Sequence, residues 1–126
     1  MIPVILVGSG IAASAAETVI KTETARPGHV FTALSVMAMD EDNAIATLIE
    51  IGVIDGTRQI PIDSTPGNFP AKTSHTIYWP SMLRPGQAFY AKFLTPTEGD
   101  HLKISAHGFV EEISHDEERA DNPRGR

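Results

Sequence analysis

Hydrophobic and polar residues alternate with a period near two along most of this chain, in short runs closed by turn formers. Two is the period of a strand, because successive side chains on extended backbone point to opposite faces. Glu17–Thr24 sets Val19, Lys21 and Glu23 against Thr18, Ile20 and Thr22. After an Arg26-Pro27-Gly28 turn, His29–Met39 carries Val30, Leu34 and Val36 on one face and Phe31, Ala33, Met37 and Met39 on the other. Both faces are apolar, which predicts a central strand or one covered by another chain. Asp40-Glu41-Asp42-Asn43 reads as a polar hairpin loop. Ala44–Val53 follows, with Ile45, Ile49, Ile51 and Val53 on one face, and Asp55-Gly56 is a hairpin turn. Thr57–Ile62 turns Ile60 and Ile62 inward, and Pro61 marks an edge or a bulge.

Asp63–Lys72 is rich in turn formers and reads as a projecting loop of the kind that often carries binding. Thr73–Trp79 is the next strand. Arg84-Pro85-Gly86 suits a type II turn, with proline pre-setting one position and glycine supplying positive φ at the next. Gln87–Leu94 alternates Phe89, Ala91 and Phe93 against Ala88, Tyr90 and Lys92. Glu98-Gly99-Asp100 turns again. His101–Glu111 then places Leu102, Ile104, Ala106 and Val110 on one face and His101, Lys103, Ser105 and His107 on the other. Such spacing predicts an all-β fold, a single antiparallel β-sandwich (jelly-roll-like, about seven to eight strands) over residues 17–112. Residues 113–126 form a polar tail with too little apolar content to fold alone.

Residues 1–16 are uncharged and end in small residues, as a leader peptide does. They lack a positive start, and Gly8, Ser9 and Gly10 interrupt the apolar run, so the segment is expected to be an apolar N-terminal arm of the mature chain.

A length of 126 residues fits one domain, and 41% hydrophobic content suffices for a core without staples. With no cysteine, a disulfide framework, a thiolate zinc site and a cysteine nucleophile are excluded. The formal charge of −6, with ten scattered basic residues, gives no footprint for nucleic acid or an anionic membrane. No apolar run reaches the length of a membrane span.

Candidate chemistry is sparse. Gly8-Ser9-Gly10-Ile11-Ala12-Ala13 matches a dinucleotide fingerprint, whose glycines let backbone approach a pyrophosphate at a helix N-terminus. That fingerprint needs a βαβ unit, and the rest of this chain reads as β, so an apolar arm with small residues is the plainer reading. The five histidines form neither H-x-H nor H-E-x-x-H. His101 and His107 stand about 20 Å apart along one strand, too far to share a metal. Either, or His75 with His107, could ligate only across strands. Asp40, Glu41 and Asp42 offer hard oxygens without the turn glycine and further ligands of a calcium loop, and read as a solvated tip. No serine lies in G-x-S-x-G. Trp79, Tyr78, Phe69 and Tyr90 could form a platform for a sugar or peptide, beside the 63–72 loop. No catalytic residue, cofactor or metal is expected.

The C-terminal half has a cadence of its own: Tyr78-Trp79-Pro80, Leu83-Arg84-Pro85-Gly86, the aromatic strand Phe89-Tyr90-Ala91-Lys92-Phe93, then Glu98-Gly99-Asp100 and a strand ending His107-Gly108-Phe109. Over roughly residues 73–111 it resembles small β-sandwich structural proteins of tailed-bacteriophage virions, capsid decoration (cement) proteins and neck or tail accessory proteins. The resemblance implies a non-enzymatic protein on the capsid surface, bridging shell subunits. Its partners would be the major capsid protein or other virion proteins, and it would form a homo-oligomer, a trimer being favoured. The candidate interface is Ile2, Val4, Ile5, Leu6, Val7 and Ile11 of the arm, with Phe31, Met37, Met39 and Phe69. The alternatives are a neck or tail accessory protein, a carbohydrate- or peptide-binding module, and a small enzyme using Gly8 and Gly10 or His75 and His107.

Overall fold

The computed structural model describes residues 2–13, 16–45, 47–66, 69–78 and 81–113, without the side chains of 65 and 66. Among them nine strands are present: β1 (Ile2–Ile11), β2 (Glu17–Lys21), β3 (His29–Asp40), β4 (Leu48–Asp55), β5 (Arg58–Pro66), β6 (His75–Ile77), β7 (Ser81–Leu83), β8 (Gln87–Leu94) and β9 (His101–Glu112). They form two antiparallel sheets packed as a β-sandwich. The first has the order β1-β9-β3-β6, with β7 also on β3; the second is β2-β8-β4-β5. The pairings nest: β1 with β9, β2 with β8, β3 with β6 and β7, and β4 with β5. The pattern is that of one long ribbon folded back on itself, with β3 on β9 and β4 on β8 completing the sheets. Among the described residues no helix is long and apolar enough to cross a membrane.

The inner faces meet in a core of Phe31, Val36, Ile49, Ile51, Leu83, Phe89, Phe93, Leu102 and Ile104, all buried. Each such side chain contributes about 1.5–3 kcal/mol by leaving water. Phe31 and Phe89 meet edge-on across the sheets, centroids 6.2 Å apart, the geometry that ring quadrupoles favour. The Asp55-Gly56 and Arg84-Pro85-Gly86 turns stand where expected, with Gly56 at φ 63° and Gly86 at φ 86°. Only glycine enters that region without a Cβ penalty.

Three expectations are corrected. The first concerns residues 1–16. Their first part is no arm: β1 is a strand of the first sheet, in continuous register with β9 from Ile2↔Val110 to Ile11↔His101. Its glycines serve close packing. A Cβ on Gly8 would strike the Lys21 carbonyl oxygen, and one on Gly10 would lie 2.7 Å from Ile20 Cγ2. Gly8 to Ile11 are extended, so the dinucleotide fingerprint has no helix start to act on.

The second concerns Phe31. It is fully buried and is no interface residue. A β-bulge between Ala33 and Ser35 inserts Leu34 and flips the parity of β3. Phe31 and Ala33 point inward before it, Val36 and Ala38 after it, while Leu34 is exposed. A strict count of two therefore mixes inner with outer residues, yet the outer face of β3 still carries Val30, Leu34, Met37 and Met39. Leu6 is likewise buried, against the core, and Val4 packs on it half-buried.

The third concerns boundaries. β4 begins at Leu48, and Ile45 instead makes an isolated bridge to Phe69. The segment read as one strand, Thr73–Trp79, is β6 alone, followed by β7. The 63–72 loop is shorter than expected because β5 continues to Pro66. Trp79, His115 and residues 114–126 of the polar tail lie outside the described residues.

Candidate functional site: an apolar sheet face and a carboxylate cluster

Odd-numbered residues of β1 point away from the core. Ile5, Val7 and Ile11 are each more than half exposed. The register sets them beside His107, Ser105 and His101 of β9; beyond His107 and Ser105 stand Ser35 and Met37 of β3, and Met39 pairs with Lys103. Leu34, at the bulge, and Met82 of β7 are exposed as well, at 53% and 56%. The outer surface of the first sheet therefore carries apolar residues on β1 and on β3 and β7, divided by the polar residues of β9. β1 is its edge. Halfway along, the edge is tied to the second sheet's side of the molecule: Val7 N–H donates to Glu23 Oε1 and Val7 O accepts from Glu23 N–H, both at 3.3 Å. Beside the first half of β1 lies a groove of about 210 Å³ lined by Val4, Leu6, Thr24, Arg26 and His29.

The expected interface thus divides. Ile5, Val7 and Ile11 share the outer face, with Met37 and Met39 half-buried on the same side. Ile2 is exposed at the start of the edge. Phe69 packs against the core, its ring 5.6 Å from that of His75. Among the described residues the aromatic platform does not assemble: Tyr90 is buried and donates to Glu50 Oε2 at 2.6 Å, whereas Tyr78 is exposed. His75 and His107 are not brought together either. His75 is buried on β6 with Nε2 3.2 Å from Asp63 Oδ2, and His107 is exposed on the outer face of β9.

A second feature was only half seen in the sequence, which offered Asp40, Glu41 and Asp42 as a solvated tip; Asp40 is instead buried, and Asp100 joins it. Asp40 ends β3, Asp42 follows in the loop and Asp100 precedes β9; one carboxylate oxygen of each lies within 4.8 Å of the others. Asp40 Oδ1 accepts from the backbone N–H of Asp42 (2.9 Å) and Asn43 (3.0 Å), so the side chain builds its own turn. Asp100 Oδ1 accepts from Asn43 Nδ2 at 2.6 Å. Asp42 Oδ2 accepts from the His101 backbone N–H at 2.6 Å and lies 2.8 Å from the ring Nδ1. Asp40 and Asp100 are only 2% and 3% exposed, and the Oδ2 atom of each is buried without a hydrogen-bond partner among the described residues.

Burial, then the facing Asp100 carboxyl, raises the Asp40 pKa to about 6. Asp42 is instead held below its usual range by the bonds it accepts from His101, whose own pKa that carboxylate raises. The signal that could have found the cluster is the antiparallel pairing of β3 with β9. It brings the acidic 40–43 loop and the Glu98-Gly99-Asp100 turn to one end of the sheet. Compared with known proteins, the chain matches no family model and no curated sequence.

Proposed function

We propose that this chain is a non-enzymatic structural protein of a virion, a decoration protein that binds the capsid shell and bridges its subunits. The observation that carries the reading is the outer face of the first sheet, where Ile5, Val7, Ile11, Leu34 and Met82 lie exposed on a rigid two-sheet scaffold. Exposed apolar residues gathered on one face, here in two strips on either side of the polar row of β9, mark a protein partner. The major shell protein is the proposed occupant and a homotrimer the proposed state. Nested strand pairing, which suits the jelly-roll-like wrap anticipated from the turn spacing, supports the same class.

Deleting residues 1–16 is an unsuitable test, because it would remove β1 from the sheet. The test is the copy number of the chain in particles purified from its source, by quantitative mass spectrometry against the most abundant shell protein, for the native chain and for the double variant Ile5→Lys, Val7→Lys. Both positions are exposed, so the variant is expected to fold with its unfolding midpoint nearly unchanged. Copy number comparable to the shell protein, lost in the variant, is the expected result. A handful of copies would assign the chain to the neck or tail, and absence from the particles would refute the reading.

A further inference from the structure

We propose that Asp40, Asp42 and Asp100 form a binding site for a hard divalent cation, calcium fitting best, that fastens one end of the sandwich. The inference is independent of the docking face. Its geometric basis is the clustering of three carboxylate oxygens, each within 4.8 Å of the others, close enough to converge on one ion with small adjustments of the side chains. Calcium, which accepts irregular shells of six to eight oxygens, suits such a set better than magnesium, which demands a near-ideal octahedron.

Clustered acids alone would prove little. The second observation is the pair of orphaned oxygens. Asp40 Oδ2 and Asp100 Oδ2 are buried and, among the described residues, accept no hydrogen bond, although the other oxygen of each is bonded and the two carboxyls face each other. A buried carboxylate oxygen without a partner costs free energy unless a proton or a cation satisfies it. The bonded oxygens are held by Asn43 and the loop backbone, so the carboxylates are fixed in place before any ion arrives.

Charge is consistent with this. Around the cluster, the acids Asp40, Asp42, Asp100 and Glu41 outnumber the lysines Lys72 and Lys103, so the site favours a cation. Lys103 is engaged by Glu41 at 3.2 Å, and His101 is engaged by Asp42. Asp42 is partly exposed, leaving a side open for the waters that complete a six- to eight-oxygen shell.

The ion would link two segments directly: the end of β3 with the loop after it, through Asp40 and Asp42, and the β8–β9 turn, through Asp100. That turn is in turn bonded to the end of β1, through Ala12 N–H to Asp100 O and Gly99 N–H to Ala12 O, both 2.9 Å.

The experiment uses the full chain, stripped with chelator and dialysed. Calcium chloride is titrated in by calorimetry, and thermal unfolding is followed with and without the ion. Expected are saturable heat with one ion per chain and a rise in Tm of roughly 5–10 °C at about a hundredfold excess over Kd. Asp100→Asn should lose the heat and the Tm response while folding at least as well in chelator, because it removes one of two facing carboxylates. Should that variant not fold, Asp42→Asn, at an exposed position, should weaken binding at least tenfold. No heat and no Tm change up to millimolar calcium would overturn the proposal. So would an equal response in the native chain and a folded variant, whereas a response confined to the native chain would uphold it.

Discussion

Single residues decide how close the layers of this sandwich come. Gly108 sits in the middle of β9, opposite Ala33, and a Cβ there would strike the Thr32 carbonyl oxygen and crowd Ala33 Cα at 2.9 Å. Those are backbone atoms of a central strand and cannot swing aside. Gly108→Ala is therefore expected to cost about 2–3 kcal/mol by overpacking. Gly56→Ala is the control: its Cβ would meet open space, and only its φ of 63° resists, at about 1–2 kcal/mol. Urea unfolding midpoints of the two variants check this; equal losses would mean that contact with Thr32 is not the cause. The same physics explains a misleading motif. Gly8-Ser9-Gly10 resembles a phosphate loop in one dimension, but residues two apart share one face of a strand. Two glycines so placed announce a close neighbour, here Lys21 and Ile20 of β2. Whether such a pair approaches a ligand or another strand depends on the pairing, which no local pattern reveals.

At the scale of elements, β9 was legible down to its faces, because it alternates without interruption. β3 was not, because the bulge at Leu34 shifts its phase midway and a strict count of two then mixes inner with outer residues. The bulge gives a sharp test. Removing Leu34 alone restores simple alternation: Phe31 and Ala33 inward, Ser35 outward, then Val36 and Ala38 inward. A chain lacking Leu34 should fold, with a loss of about 1–2 kcal/mol at most. A chain lacking Met37 should not fold cooperatively, since a one-residue slip turns either Val36 or Ala38 and Asp40 to the wrong face. Circular dichroism and urea unfolding distinguish the two. Equal behaviour would mean that β3 can slide against β9 and that the bulge sets nothing. The carboxylate cluster was illegible for a related reason. Asp40 and Asp42 and the distant Asp100 each read as solvated turn residues, and only the β3–β9 register brings them to one place.

For the whole molecule, the decisive fact is that the first described strand pairs with the last. β1 and β9 lie at opposite ends of the sequence yet share a register ten residues long, and the second sheet joins β2 to β8 across a similar span. Turn chemistry and alternation reveal strands and loops, hence the sandwich. They are silent on such non-local closure, and this is why an apolar, glycine-interrupted N-terminus could be read as an arm. The two readings differ in a measurable way. If β1 belongs to the sandwich, deleting residues 2–12 removes Leu6 and Ala12 from the core, both buried. It also leaves one side of β9 unpaired and uncovers the Lys21 backbone over which Gly8 packs. A domain of this size has only about 5–15 kcal/mol of stability in total, and a buried leucine, an alanine and a ten-residue ladder are a large part of it. The truncated chain should lose its cooperative urea transition, or keep one with a clearly smaller m value, since m follows the surface exposed on unfolding. A transition with unchanged midpoint and slope would mean that β1 is a detachable arm after all. The outer-face substitutions at Ile5 and Val7 would then report on a mobile segment and not on the face of a sheet.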